Sequence, residues 1–118
     1  MALVPDGPTH TVAGVIAVQI MRDDAQNDPA QAFSAQIDVP SVPQQTLPLH
    51  NGSSLSFPVH TGNINGTVRA EVDDFTLQPN GTSPADATGL TCKIVFKLQE
   101  IFTITLGSVN VTASLKAA

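Results

Sequence analysis

The chain has no tryptophan and no tyrosine, and its five phenylalanines supply all of its aromatic content. Sugar clefts, base-stacking platforms and protein hot spots lean on Trp and Tyr. Their absence argues against all three, and most strongly against sugar and single-stranded nucleic acid. Cations are scarce as well: Arg22, Arg69, Lys93, Lys97 and Lys116 stand against ten acidic residues, for a net charge of −5. Nucleic-acid binding needs clustered Lys and Arg to displace counterions from phosphate, and anionic membrane surfaces attract the same residues. Neither nucleic acid nor membrane is expected as a partner.

Cysteine is limited to Cys92, so no internal disulfide can form. No stretch reaches the roughly 18 consecutive apolar residues of a membrane span. The opening residues, Met1-Ala2-Leu3-Val4-Pro5-Asp6, lack the basic and apolar regions of a signal peptide. Asn51, Asn65, Asn80 and Asn110 each begin an Asn-x-Ser/Thr triplet, a glycan acceptor in a eukaryotic secreted protein. Three of these are Asn-Gly pairs, which hairpin turns select for backbone geometry, and the turn reading is preferred.

What the chain does have is apolar patterning. Leu, Ile, Val and Phe make up 33 of its 118 residues, enough for the core of one domain. From Leu90 to Leu106 every even position is apolar except Glu100, while the odd positions are mostly polar. A period of two marks strands with one dry and one wet face. The stripe is either one very long bent strand or two strands joined at Gln99-Glu100 in phase. The class is all-β.

The rest of the chain fits that class. Residues 1–9 read as an extended N-terminal arm and 10–118 as a single all-β domain. His10–Met21 is apolar on both parities, as in a strand covered on both faces. Asp28-Pro29-Ala30-Gln31 reads as a turn with room for one helical turn, and Phe33, Ala35, Ile37 and Val39 then alternate as a strand ended by Pro40 and Pro43. A three-residue loop, His50-Asn51-Gly52, would pair Leu47 with Leu55 in a hairpin, with Gly52 left-handed. Pro48 and Pro58 put that hairpin at a sheet edge. Asn63-Ile64-Asn65-Gly66 reads as a turn. The next strand changes phase between Val72 and Phe75, which a β-bulge at Asp73-Asp74 explains. Residues 79–89 form a polar loop. Gly107-Ser108 suits a type II′ turn, pairing Leu106 with Val109, Ile104 with Val111, Phe102 with Ala113 and Leu115 with Glu100. The expected fold is an antiparallel β-sandwich or small β-barrel of about eight strands with a long C-terminal hairpin.

Few residues carry candidate chemistry. Asp23, Asp24, Asn27 and Asp28 could offer oxygens to Ca²⁺, but they lack the ligand spacing of a calcium loop, and a solvated turn is preferred. His10, His50 and His60 sit at strand starts or turns, and His50 and His60 are about 30 Å apart along a straight strand, too far to share a metal. Glu71, Asp73 and Asp74 read as wet-face charges rather than as an acid–base pair. Cys92 falls in the dry register, as a buried inert thiol. Glu100, the one charge in the stripe, either sits in water at a bend or pairs with Arg22, Arg69 or a partner chain.

With no nucleophile motif, no phosphate loop and no cofactor signature, a non-enzymatic role is expected. The favoured reading is a structural or assembly protein, a subunit or decorating component of a virion, tail or similar array. Its partner would be itself, as a homo-oligomer, or a larger protein assembly. The interface expected is Leu3 and Val4 of the arm with Glu100, Phe102, Ile104 and Leu106 of the stripe. The compartment is not legible; a virion or other extracellular assembly fits best. The alternative is a carbohydrate- or ligand-binding module of the adhesin kind, with or without Ca²⁺, and a third is a domain that lends a strand to a partner's open edge.

Overall fold

A computed structural model describes residues 3–26, 29–40, 42–61, 64–78, 89–99 and 102–114. Among them are nine strands and a single helical turn: β1 (Leu3–Pro5), β2 (His10–Val12), β3 (Ile16–Asp23), α1 (Pro29–Ala32), β4 (Phe33–Val39), β5 (Val42–Pro48), β6 (Ser54–Thr61), β7 (Ile64–Gln78), β8 (Gly89–Gln99) and β9 (Thr103–Ser114). They form two antiparallel sheets and no closed barrel. The first has the order β1-β3-β4-β5 with β2 also on β3, and the second has the order β6-β7-β8-β9.

The core follows from alternation. Along β8, Leu90, Cys92, Ile94, Phe96 and Leu98 are all buried, as the even-position stripe requires. They join Ile16, Val18 and Ile20 of β3, Ala35, Ile37 and Val39 of β4, and Val68, Ala70 and Val72 of β7 in one apolar cluster shared by both sheets. The sheets also meet along both flanks, β2 against β9 and β5 against β6.

Several expectations hold. The strand from Phe33 to Val39 is present, preceded by a helical turn. The slip at Asp73-Asp74 is a register shift between Asp73 and Thr76, with Asp74 at φ 53°. Gly52 is left-handed, at φ 80°.

Four connections differ. His10–Met21 is not one strand covered on both faces: a tight turn with Ala13 and Gly14 at φ 54° and 76° splits it into β2 and β3. Its even residues, Val12, Ile16, Val18 and Ile20, face the core; of the odd ones Val15 and Ala17 are only half-buried and Met21 is buried. His50-Asn51-Gly52 is not a hairpin loop. Leu47 pairs with Ala35, and Leu55 pairs with Ala70 in the other sheet. The Ser53 amide donates to the His50 carbonyl at 3.1 Å, and this turn carries the chain from one sheet to the other. Asn65 and Gly66 are not in a turn. They pair with His60 and Val59 inside the β6–β7 ladder, and the Asn65 side chain hydrogen-bonds across to His60.

The fourth correction matters most. Gly107-Ser108 is not a turn; it runs through the middle of β9, opposite Phe96 and Val95. The stripe is two strands, and the chain reverses between Gln99 and Thr103, which pair with each other. A register shift opposite Phe96 and Lys97 makes Leu106 an extra residue and moves the inward side of β9 from even to odd positions, so Val109, Val111 and Ala113 are buried. Gly107 is there for space: a Cβ on it would lie 2.9 Å from Val12 Cγ1 of the opposite sheet. Glu100, Leu115 and residues 79–88 lie outside the described residues.

Gly89 faces a harder obstacle, because a Cβ there would run into the Ala113 carbonyl oxygen, which is backbone. Gly89→Ala should therefore destabilise by about 1–3 kcal/mol, and Gly107→Ala by less, since its obstacle is a side-chain methyl. Denaturant unfolding of both variants checks the order; equal costs would remove the close-approach explanation.

Candidate functional site

The surface divides into a charged patch, an open groove and an uncharged edge. On the outer face of the second sheet, Arg69 Nε donates to Glu71 Oε1 at 2.7 Å and Lys97 Nζ to Glu71 Oε2 at 3.3 Å. Arg69 also donates to the Ser54 hydroxyl at 3.0 Å. Strand pairing builds this patch, since Arg69 lies opposite Lys97 and Ser54 opposite Glu71. The hydrogen bond from Arg69 is the main cause that holds the Glu71 carboxyl below its usual range; burial opposes it and Lys97 adds to it. A carboxylate so held is a stable anion, not a proton donor.

The groove lies between edge strands β5 and β6. Val42, Pro43 and Gln45 face Phe57, Pro58 and His60 around a space of about 370 Å³. Pro43 and Pro58 lack backbone donors and so belong on strands with no outer neighbour. The sequence signal for the groove is that pair of prolines, of which Pro58 reads only as an edge marker and Pro43 as the end of the preceding strand, whereas Pro43 lies within β5.

The third feature is β9. Its twelve residues, Thr103–Ser114, include no proline and no charge. The start of the strand is uncovered: Ile104 is 48% exposed, and Phe102 just before it is 73% exposed. Yet the partner of Ile104 across the ladder, Leu98, is buried. Phe102 and Ile104 are two of the three large exposed hydrophobics among the described residues, and Leu3 is the third, at 48%.

Of the expected interface residues, the structure brings Phe102 and Ile104 together with half-buried Leu106. Leu3 and half-buried Val4 lie elsewhere. They belong to β1, which pairs with Asp23 and Arg22 of β3, so this part of the arm is an edge strand of the first sheet. The Leu49 amide bonds to the Phe33 carbonyl at 3.1 Å where the chain leaves the Asp23 end of that sheet for Ser54. The Thr61, Gln99 and Thr103 ends of the second sheet therefore point the other way, and Leu3 and Phe102 stand at opposite ends of the molecule. Glu100 lies outside the described residues. Of its suggested partners, Arg69 is bound to Glu71 and Ser54, and Arg22 has a buried Nε with no hydrogen-bond partner among the described residues.

The calcium candidates are divided. Asp23 is buried, and its Oδ1 accepts the Ala25 amide at 3.0 Å, which closes a local turn. Asp24 is exposed, and Asn27 and Asp28 lie outside the described residues. Among the described residues no group of three His, Cys, Asp or Glu side chains is placed to hold a metal ion. Cys92 is buried opposite Val111, and burial pushes its thiol up to about 11. No protein-family model, curated protein or solved structure matches the chain.

Two outcomes follow. In native buffer Cys92 should react with an aromatic disulfide reagent only as fast as the sheet opens, and fully once unfolded; immediate reaction would show an open β8. Glu71, with a lowered folded pKa, stabilises at neutral pH and loses that contribution as pH falls through the folded value. Glu71→Gln should cost less than about 1 kcal/mol at neutral pH and nothing in acid, as thermal unfolding at several pH values would show. A cost that grows on acidification would reverse the assignment.

Proposed function

We propose that this chain is a non-enzymatic structural subunit, a β-sandwich that assembles through its sheet surfaces with copies of itself or into a larger extracellular array such as a virion or tail. The sandwich form is supported by the shared apolar cluster and by a shortest dimension of 18 Å, which suits two sheets about 10 Å apart. The observation that carries the functional reading is the β9 edge: twelve uncharged, proline-free residues that include exposed Ile104 and are preceded by exposed Phe102. Monomeric proteins blunt such edges with charge, proline or a covering element. β9 carries neither charge nor proline, which supports a partner strand along it.

A second reading rests on the groove of about 370 Å³ at Val42, Pro43, Gln45, Phe57, Pro58 and His60, which falls within the size range of small-ligand sites. It describes a ligand-binding module, carbohydrate included.

One experiment separates them. Light scattering coupled to size-exclusion chromatography, over a range of concentrations, should give a native mass above the 12.3 kDa of one chain. Ile104→Asp, at a half-exposed position, should keep the fold and lower that mass. A monomer at every concentration, stabilised by a glycan or by Ca²⁺ in a thermal-shift panel, would replace the first reading with the second.

A further inference from the structure

We infer that the partner of β9 is β9 of a second copy, paired antiparallel about a two-fold axis near Asn110, so that two four-stranded sheets become one eight-stranded sheet. The inference rests on the assembly reading and names its interface.

The argument begins with the other edges. β1 carries Pro5 and is separated from β2 by a break that contains Pro8; β5 carries Pro43 and Pro48; β6 carries Pro58. Each proline removes a ladder donor. Among the described strands, β9 is the edge that offers a run of main-chain donors and acceptors uninterrupted by proline. A copy that pairs edge to edge with another therefore keeps an unbroken ladder only as β9 on β9. Such a contact is isologous and closes at two chains, since no equivalent edge is left over.

The side chains fit the same arrangement. From Gly107 to Ser114, β9 alternates strictly: Val109, Val111 and Ala113 are buried, and Ser108, Asn110, Thr112 and Ser114 are exposed. An antiparallel pairing about Asn110 sets Ser108 against Thr112, Asn110 against Asn110 and Val109 against Val111. Polar meets polar on the outer face and apolar meets apolar on the inner face. The bulge at Leu106 lies outside this run.

Electrostatics permit the contact although each copy carries −5. β9 has no charge, and β8 has only Lys93 and Lys97. Lys97 is bound to Glu71, and Lys93 lies opposite Asp73 in the β7–β8 ladder. The two copies of Lys93 would be three strand spacings apart, about 14 Å, which is beyond the Debye length of about 8 Å at physiological salt.

The test uses two triple variants at exposed positions of the full chain. One carries Ser108→Lys, Asn110→Lys and Thr112→Lys; the other carries Ser108→Glu, Asn110→Glu and Thr112→Glu. The wild-type protein should have twice the 12.3 kDa chain mass. Each variant should fall to the chain mass with its β-sheet circular dichroism unchanged, and an equimolar mixture should return to twice it. In the wild type, hydrogen exchange should show every β9 amide from Ser108 to Thr112 protected, including those that do not donate to β8. A wild-type oligomer whose mass the variants leave unchanged, or whose outward β9 amides exchange freely, overturns this interface but leaves the assembly reading standing. A wild-type monomer at every concentration overturns both.

Discussion

The uninterrupted alternation of β8 is the constraint on which the second sheet depends. Leu90, Cys92, Ile94, Phe96 and Leu98 stay on the inner face without a slip from one end of the strand to the other. Both neighbours slip against it. β7 shifts register between Asp73 and Thr76, which brings Leu77 opposite Leu90 on the side that Val72, Ala70 and Val68 occupy farther along. β9 shifts opposite Phe96 and Lys97, and there its inward side passes from Ile104 to Val109, Val111 and Ala113. A one-residue slip would otherwise turn each of those segments inside out. The two bulges are how strands with broken phase are fitted to a template whose phase is unbroken.

That hierarchy explains what the sequence makes legible. Alternation is local, so β8, β4 and the bulge at Asp73-Asp74 can be read directly from residue parity. Turn chemistry is less decisive, because glycine serves two purposes. Gly52 is at a turn for its positive φ, whereas Gly107 sits mid-strand because Val12 comes close from the other sheet. Nothing adjacent to Gly107 in the sequence announces Val12. Parity also says nothing about sheet membership: Leu47 and Leu55 face the core whether the chain turns back on itself or crosses between sheets, and only the pairing of Leu47 with Ala35 and Leu55 with Ala70 decides. Of the candidate site, Phe102, Ile104 and Leu106 were legible as a surplus of apolar stripe. Their separation from Leu3 was not, because it depends on the direction in which the two sheets are joined.

The same economy governs the polar groups. Asp23 sits at the end of β3, nearly buried, and spends its carboxylate on the Ala25 amide. Glu71 gathers Arg69 and Lys97 on the outer face, where exposed ion pairs contribute little to stability. That patch keeps two of the few cations, Arg69 and Lys97, bound to one carboxylate. The stability of the chain therefore rests on the apolar cluster and the two hydrogen-bonded sheets.

A surface with so little charge and no Trp or Tyr has few of the side chains that anchor ordinary protein interfaces. Backbone pairing does not need them. An added strand draws its affinity from main-chain hydrogen bonds, and its specificity from the alternation of small side chains and from what the other edges refuse. Proline at β1, β5 and β6 supplies the refusal. A composition poor in Trp, Tyr and clustered cations is compatible with recognition by strand addition, and the proposed β9 pairing draws on main-chain groups that this scarcity leaves untouched.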